Sequence, residues 1–216
     1  PSTLSKLSRN AFEYTDVVYA GPHASCTIAS GATMHLDAHG GLYRKHEEGN
    51  ELMYLMDADA TSYVVEKKTR SIGPFAFAHL PLLEEVELPQ GLESIGDGAF
   101  RSCTRLRRVS IPESLRSIGE EAFYDTAIEE IYLPTAFESL GERALVCAGA
   151  RRENETPSLQ QVRVNPNCAR FFLTGGLLCE RVGGDDVRVV LYDGTHESVR
   201  VPLEVNEICA YAFANA

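Results

Sequence analysis

The amino-acid sequence predicts an α/β-type repeat solenoid: coils of about 23 residues, a parallel β-ladder on one face, short helical turns on the other, and two inserted β-hairpins. Three observations predict it. Ala-Phe pairs recur at Phe77, Phe100 and Phe123, at spacings of 23 and 23. An apolar residue followed by glycine recurs at Ile72-Gly73, Ile95-Gly96, Ile118-Gly119 and Leu140-Gly141, at spacings of 23, 23 and 22. Upstream of these lie apolar-x-apolar-Pro runs: Val86-Glu87-Leu88-Pro89, Val109-Ser110-Ile111-Pro112 and Ile131-Tyr132-Leu133-Pro134.

Each part of the unit has a physical role. Leu83, Val86 and Leu88 begin a short strand whose alternate side chains point inward. Pro89 ends it, because proline has no N–H for the ladder. Leu92 and Ile95 carry the chain across the core, and Gly96 permits a tight bend. Ala99-Phe100 packs the far wall, within a helical turn. Each unit leaves an apolar flank open and must stack on a neighbour.

A longer duplication encloses the plain repeats. Ser62-Tyr63-Val64-Val65 through Phe77 matches Ser198-Val199-Arg200-Val201 through Phe213 at an offset of 136. Gly40-Gly41-Leu42-Tyr43 matches Gly175-Gly176-Leu177-Leu178 at an offset of 135. In each copy two apolar runs flank a polar turn, Glu47-Glu48-Gly49-Asn50 or Gly183-Gly184-Asp185-Asp186, which predicts hairpins over 40–57 and 175–192. Leu4, Leu7 and Ala11-Phe12 align with Phe137, Leu140 and Ala144-Leu145. Residues 1–216 are therefore expected to form a single solenoid: a module at 4–77, plain repeats at 78–136 and a second copy of the module at 137–216. Neither end reads as a polar capping repeat, which predicts a stretch of a longer array.

The run Leu92-Glu93-Ser94-Ile95-Gly96-Asp97-Gly98-Ala99-Phe100 resembles the signature of BspA-like leucine-rich repeats. Asn165-Pro166-Asn167, the Gly176-Leu177 hairpin and the return strand Val199-Arg200-Val201-Pro202 resemble the spacer hairpin that interrupts such arrays. The resemblance implies a bacterial cell-surface or secreted protein. It also implies adhesion to a host or bacterial protein or glycan, with no catalysis and no cofactor.

Composition narrows the partners. Acids outnumber bases 31 to 20, a formal net charge of -11, which argues against nucleic acid and anionic membrane. No apolar stretch is long enough to span a bilayer. None of the six cysteines forms a CxxC pair; the even count permits disulfides, and Cys103 and Cys209 read as small buried thiols or as disulfide partners. An extra stretch from Cys147 to Ser158 bulges from the regular coil and holds the sequon Asn154-Glu155-Thr156. It reads as a binding loop or as surface padding.

The candidate binding site is the outer face of the strand ladder. One outward column is Val64, Glu87, Ser110, Tyr132, Arg163 and Arg200; its neighbour is Ser62, Glu85, Arg108, Glu130, Gln161 and Ser198. Glu84, Arg107, Glu129 and Gln160 run beside them. Strands about 4.8 Å apart place Arg108 within reach of both Glu85 and Glu130. The charges either hold register and solubility or form a docking face; for the latter Glu85, Glu87, Arg108, Glu130, Tyr132 and Arg163 are the candidates, with Tyr132 foremost. One metal-like cluster, His35-x-Asp37-x-His39, would share a strand face with His46 nearby, and reads either as a metal site or as a polar edge strand. Three functions therefore stand: an interaction module, a passive spacer carrying another domain, and a metal-dependent enzyme using the His35 cluster.

Overall fold

The computed structural model describes residues 33–147, 159–193 and 198–214. Leu4 to Phe12, Cys26 and the sequon within 148–158 lie outside these residues. The chain winds as a β-solenoid of about six turns with three walls.

The first wall is made by the apolar-x-apolar runs. Strands β4 (Ser62–Val64), β6 (Glu85–Glu87) and β8 (Arg108–Val109) pair in parallel, with Ser62, Glu85 and Arg108 in register. Strands β10 (Glu130–Leu133) and β12 (Gln161–Val164) form a second parallel pair. The residues between the outward columns face the core, so Tyr63, Val86, Ile131 and Val162 are buried. After each strand the proline carbonyl accepts the turn that sends the chain to the next wall: Leu92 N–H to Pro89, Leu115 to Pro112, Phe137 to Pro134.

As far as β11 the second wall is one continuous sheet. Strands β5 (Thr69–Ile72), β7 (Ser94–Ile95), β9 (Ser117–Ile118) and β11 (Ser139–Leu140) pair in parallel, with Ile72, Ile95, Ile118 and Leu140 in one inward row. The glycine that follows is a consequence of stacking. A Cβ on Gly96 would lie 2.7 Å from Pro74 N, and one on Gly141 2.3 Å from Glu120 N. Backbone of the preceding coil occupies that space, so only hydrogen fits there.

The third wall departs from expectation. Among the described residues there is no helix, hence none long and apolar enough to cross a membrane. The Ala-Phe segments run as consecutive turns. Phe75, His79, Ser102, Glu121, Asp125 and Arg143 sit at φ between 52 and 61°. A right-handed helix cannot continue through left-handed residues placed four apart. The alternate N–H groups reach the next coil instead: Phe75 to Asp97 O (3.0 Å), Phe77 to Ala99 O (2.8 Å) and His79 to Arg101 O (2.8 Å). Gly98, Phe100 and Ser102 do the same one coil later, followed by Glu121, Phe123 and Asp125. Hydrogen bonding between coils thus takes the place of hydrogen bonding within a helix.

The core runs along the axis. Phe77, Phe100 and Phe123 are fully buried and stacked, with centroids 4.8 and 5.1 Å apart and planes within 10°. Cys103 donates its thiol to Phe77 O at 2.8 Å, and Thr126 closes the same corner one coil later by donating to Phe123 O. Burial pushes the Cys103 thiol up to about 12. Cys103, Cys168 and Cys179 are buried and free, Cys147 is buried, and Cys209 is free but only half-buried.

Both hairpins form where expected. Strand β1 (Met34–Leu36) pairs antiparallel with β2 (Gly41–Lys45), which pairs antiparallel with β3 (Asn50–Leu55). Strand β3 then pairs in parallel with β5, so the hairpin extends the second wall. Strands β13 (Phe171–Thr174), β14 (Leu177–Gly183), β15 (Asp186–Tyr192) and β16 (Val205–Ile208) repeat this arrangement. The expected return strand at Val199–Pro202 is not regular strand. Its counterpart β4 is held by β6 of the following coil, and no described strand offers 199–202 such a partner.

Gly141→Ala is expected to destabilise the solenoid by about 1–3 kcal/mol, the usual cost of overpacking against rigid backbone. Gly91→Ala is the control, because its Cβ would meet nothing nearer than Arg70 Nη1 at 3.4 Å. Urea melts of the two variants compare them directly; equal midpoints would refute the stacking argument.

Candidate functional site

The outward side chains of the first wall start as consecutive exposed positions on short strands. Pairing in register turns them into columns running across the coils. Arg108 Nη2 lies 2.9 Å from Glu85 Oε2. That guanidinium holds the Glu85 carboxyl below its ordinary range and is itself raised in turn. Arg163 pairs with Glu130, and Arg107 meets Glu129 at 3.6 Å. These groups are largely exposed, so each pair contributes little to folding.

The six candidate residues do not form one uninterrupted ladder. Glu85, Glu87 and Arg108 belong to the β4-β6-β8 sheet, whereas Glu130, Tyr132 and Arg163 belong to β10-β12. No backbone hydrogen bond joins β8 to β10, and Arg107–Glu129 bridges the break. The break falls where the repeat shortens: Leu106 follows Phe100 by six positions, but Ile128 follows Phe123 by five. Arg108 therefore bonds Glu85, while Glu130 takes Arg163 as its partner.

Tyr132 is the most constrained of the six. Its hydroxyl donates to Glu113 Oε1 (2.8 Å) and accepts from Asn165 Nδ2 (2.9 Å). The Arg163 guanidinium stands 5.9 Å from its ring centroid. Loss of hydration raises its hydroxyl pKa. The ring is thus half-exposed but held at both ends. Sequence reasoning missed Glu113 and Asn165, which lie 19 and 33 residues from Tyr132. Glu113 follows a strand-ending proline and Asn165 opens the Asn-Pro-Asn turn, so both read as turn residues. Only the stacking of coils brings them to the tyrosine.

The His35 cluster is dispersed. Strand β1 ends at Leu36, so Asp37 and His39 lie in the following turn. Asp37 Oδ1 accepts the His39 and Gly41 N–H groups, and Oδ2 accepts the Tyr63 hydroxyl at 2.5 Å. His35 stacks on Tyr43 and meets Glu66 at 3.0 Å. His46 lies 3.6 Å from Glu51. Among the described residues no group of three or more His, Cys, Asp or Glu is arranged to hold a metal ion. His35 faces Tyr43, and Leu173 faces Leu178, the counterpart of Tyr43, so the second module carries leucine at the position equivalent to His35.

A family model described as "BspA type Leucine rich repeat region" matches residues 60–165 in six copies. No curated protein matches the chain. Two solved structures are similar over most of its length. One is a leucine rich cell surface protein from Faecalibacterium prausnitzii, with 15% identity, TM-score 0.55, and coverage of 89% of this chain and 70% of that one. The other is a leucine-rich repeat protein from Eubacterium ventriosum, with 16% identity, TM-score 0.56, and coverage of 83% and 56%. At such identities the likeness is one of fold.

The tyrosines under the first hairpin generate a pH dependence. Tyr43 and Tyr63 share a 2.8 Å hydrogen bond. Burial pushes the Tyr43 hydroxyl from 10.0 up to about 12, and burial together with donation to Asp37 raises Tyr63 as well. A raised folded value means that the fold favours the neutral form. That stability is fully present below pH 10 and is lost as pH rises toward 12. Denaturant melts across this window are expected to weaken steadily in the parent and less steeply in Tyr43→Phe. Identical slopes would show that the pair is not linked to folding.

Proposed function

We propose that this chain, which belongs to the BspA-type leucine-rich-repeat family through its residues 60–165, is an interaction module of a bacterial cell-surface or secreted protein. It binds a protein or glycan partner through the outer face of the first wall and catalyses no reaction.

One observation carries the reading: Tyr132 presents a half-exposed ring whose position is set by Glu113, Asn165 and Arg163. An aromatic side chain already fixed loses little rotamer entropy on binding, and Tyr and Arg are the residue types enriched at binding hot spots. On either side of it lie exposed charges of both signs, Glu85 with Arg108 and Glu130 with Arg163. Such charges steer a partner of complementary pattern and exclude others. A bacterial surface location agrees with the cell-surface description of the Faecalibacterium relative.

The rigidity of the stack supports a second reading, a passive spacer. Backbone bonds between coils run along the second and third walls, which stiffens the rod independently of what its face presents.

The test is binding of the purified chain to a panel of host matrix proteins and glycans, at low and physiological salt. Saturable binding that survives physiological salt is expected. The triple variant Glu87→Ala, Arg108→Ala, Tyr132→Ala should then lose it while keeping the parent's circular dichroism. Undiminished binding by the triple variant would move the site off this face, and a blank panel with folded protein would favour the spacer.

A further inference from the structure

The outward side chains of the first wall form bands of charge that alternate from coil to coil. Glu84, Glu85 and Glu87 make the β6 coil acidic, and Arg107 and Arg108 make the β8 coil basic. Glu129 and Glu130 make the β10 coil acidic again, and Arg163 makes the β12 coil basic. All of these residues are exposed. Along the axis the order is acid, base, acid, base. Turned end for end it becomes base, acid, base, acid, so the face is the complement of its own reverse.

Complementarity under reversal suits a two-fold contact, in which one patch meets itself and residue i faces j while j faces i. We propose that the first wall docks a second copy of this chain, face to face, with the two solenoid axes antiparallel. The two-fold axis runs along the strand direction, between the β8 and β10 coils. The inference rests on the reading of this wall as a binding face and names its partner. Such a rotation keeps each column against itself. Glu87 then opposes Arg163 of the second copy, Arg108 opposes Glu130, and Arg107 opposes Glu129. Glu85 and Glu84 meet Gln161 and Gln160, whose amides donate to carboxylates. No acid faces an acid and no base faces a base. Beside the two-fold, the half-exposed Tyr132 ring stands against Ser110, whose short side chain leaves it room. Glu113 and Asn165 already fix that ring, and aromatics near the centre of a contact carry much of its energy.

The break in the wall supports the same axis. Strands β6 with β8, and β10 with β12, are regular parallel pairs, and the irregular step lies between β8 and β10. A two-fold through the break sets it against itself and each regular pair against the other, so the columns stay matched. A contact with parallel axes would set like charges against each other at every coil, which opposes association. Bands one strand apart also select the partner. A second copy repeats its charges at the same spacing of about 4.8 Å, whereas an extended peptide presents one face only every ~6.7 Å and falls out of step. The face is four strands wide, roughly 15 Å. It covers far less than the ~800 Å² per partner of a stable complex, so the dimer is weak and exchanges rapidly.

Sedimentation equilibrium of the whole chain from micromolar to millimolar concentration tests it. The parent is expected to pass from monomer toward dimer over this range. Arg107→Glu with Arg108→Glu sets acid opposite acid, and Glu129→Arg with Glu130→Arg sets base opposite base. Each of these variants alone should stay monomeric with the parent's circular dichroism. Their equimolar mixture should dimerise, because each reversed band then meets its opposite. Glu129→Gln with Glu130→Gln adds no new charge to the fold and should weaken dimerisation by about tenfold, the loss of several exposed ion pairs. A parent that remains monomeric at millimolar concentration overturns the proposal. So does a dimer that the glutamine variant leaves equally strong, and so do folded reversal variants that dimerise alone or stay apart when mixed. A monomeric chain that binds the host panel through this face removes the second copy and keeps the binding reading. A dimer with a blank panel keeps the second copy and removes the host partner.

Discussion

Phe77, Phe100 and Phe123 stack ring on ring, 4.8 and 5.1 Å apart, because the backbone returns to the same place once per coil. The spacing matches the separation of paired β-strands, so one translation serves side-chain packing and backbone hydrogen bonding together. The rest of the structure depends on that translation. It sets the inward rows of the first two walls, excludes a side chain at Gly96 and Gly141, and places the alternate N–H groups of the third wall under the carbonyls of the next coil. A coil alone would leave these groups in water and its apolar flank open.

Where the translation is disturbed, features appear that the repeat does not itself encode. One residue fewer between Phe123 and Ile128 accompanies a break in the first wall, and the ion pairs on that face regroup around it. Insertion of the second hairpin separates β11 from β15 and β16, and a cleft of about 300 Å³ lies there. Open space beside the coils thus arises where the repeat is departed from, because perfectly stacked coils leave none.

Much of the fold was legible in the sequence. The period, the inward rows, the places of the glycines and both hairpins follow from spacing that one unit repeats several times, but Gly96 answers to the close approach of the preceding coil rather than to the tight bend expected of it. The helical turns expected around Ala99-Phe100 were wrong for a physical reason. An apolar pair in a short segment satisfies a helix or a stacked turn equally. Only left-handed residues such as Phe75, Glu121 and Arg143 separate the two, and none is of a type that advertises that conformation. Gly98 at the matching place, with His79 and Asp125 four residues on from Phe75 and Glu121, is the signal available.

The candidate site divides along the same line. By itself the sequence determined which residues face outward, since alternation along a strand is local and its period is two. It placed Glu85, Glu87, Arg108, Glu130, Tyr132 and Arg163 on one face. Tertiary structure alone decided which of them meet: Arg108 with Glu85, Arg163 with Glu130, and Tyr132 with Glu113 and Asn165. It likewise took His35, Asp37 and His39 apart, because strand β1 ends at Leu36 and the alternation ends with it. Facing is a property of a few adjacent residues; partnership depends on how whole coils stack, and no local pattern carries that information.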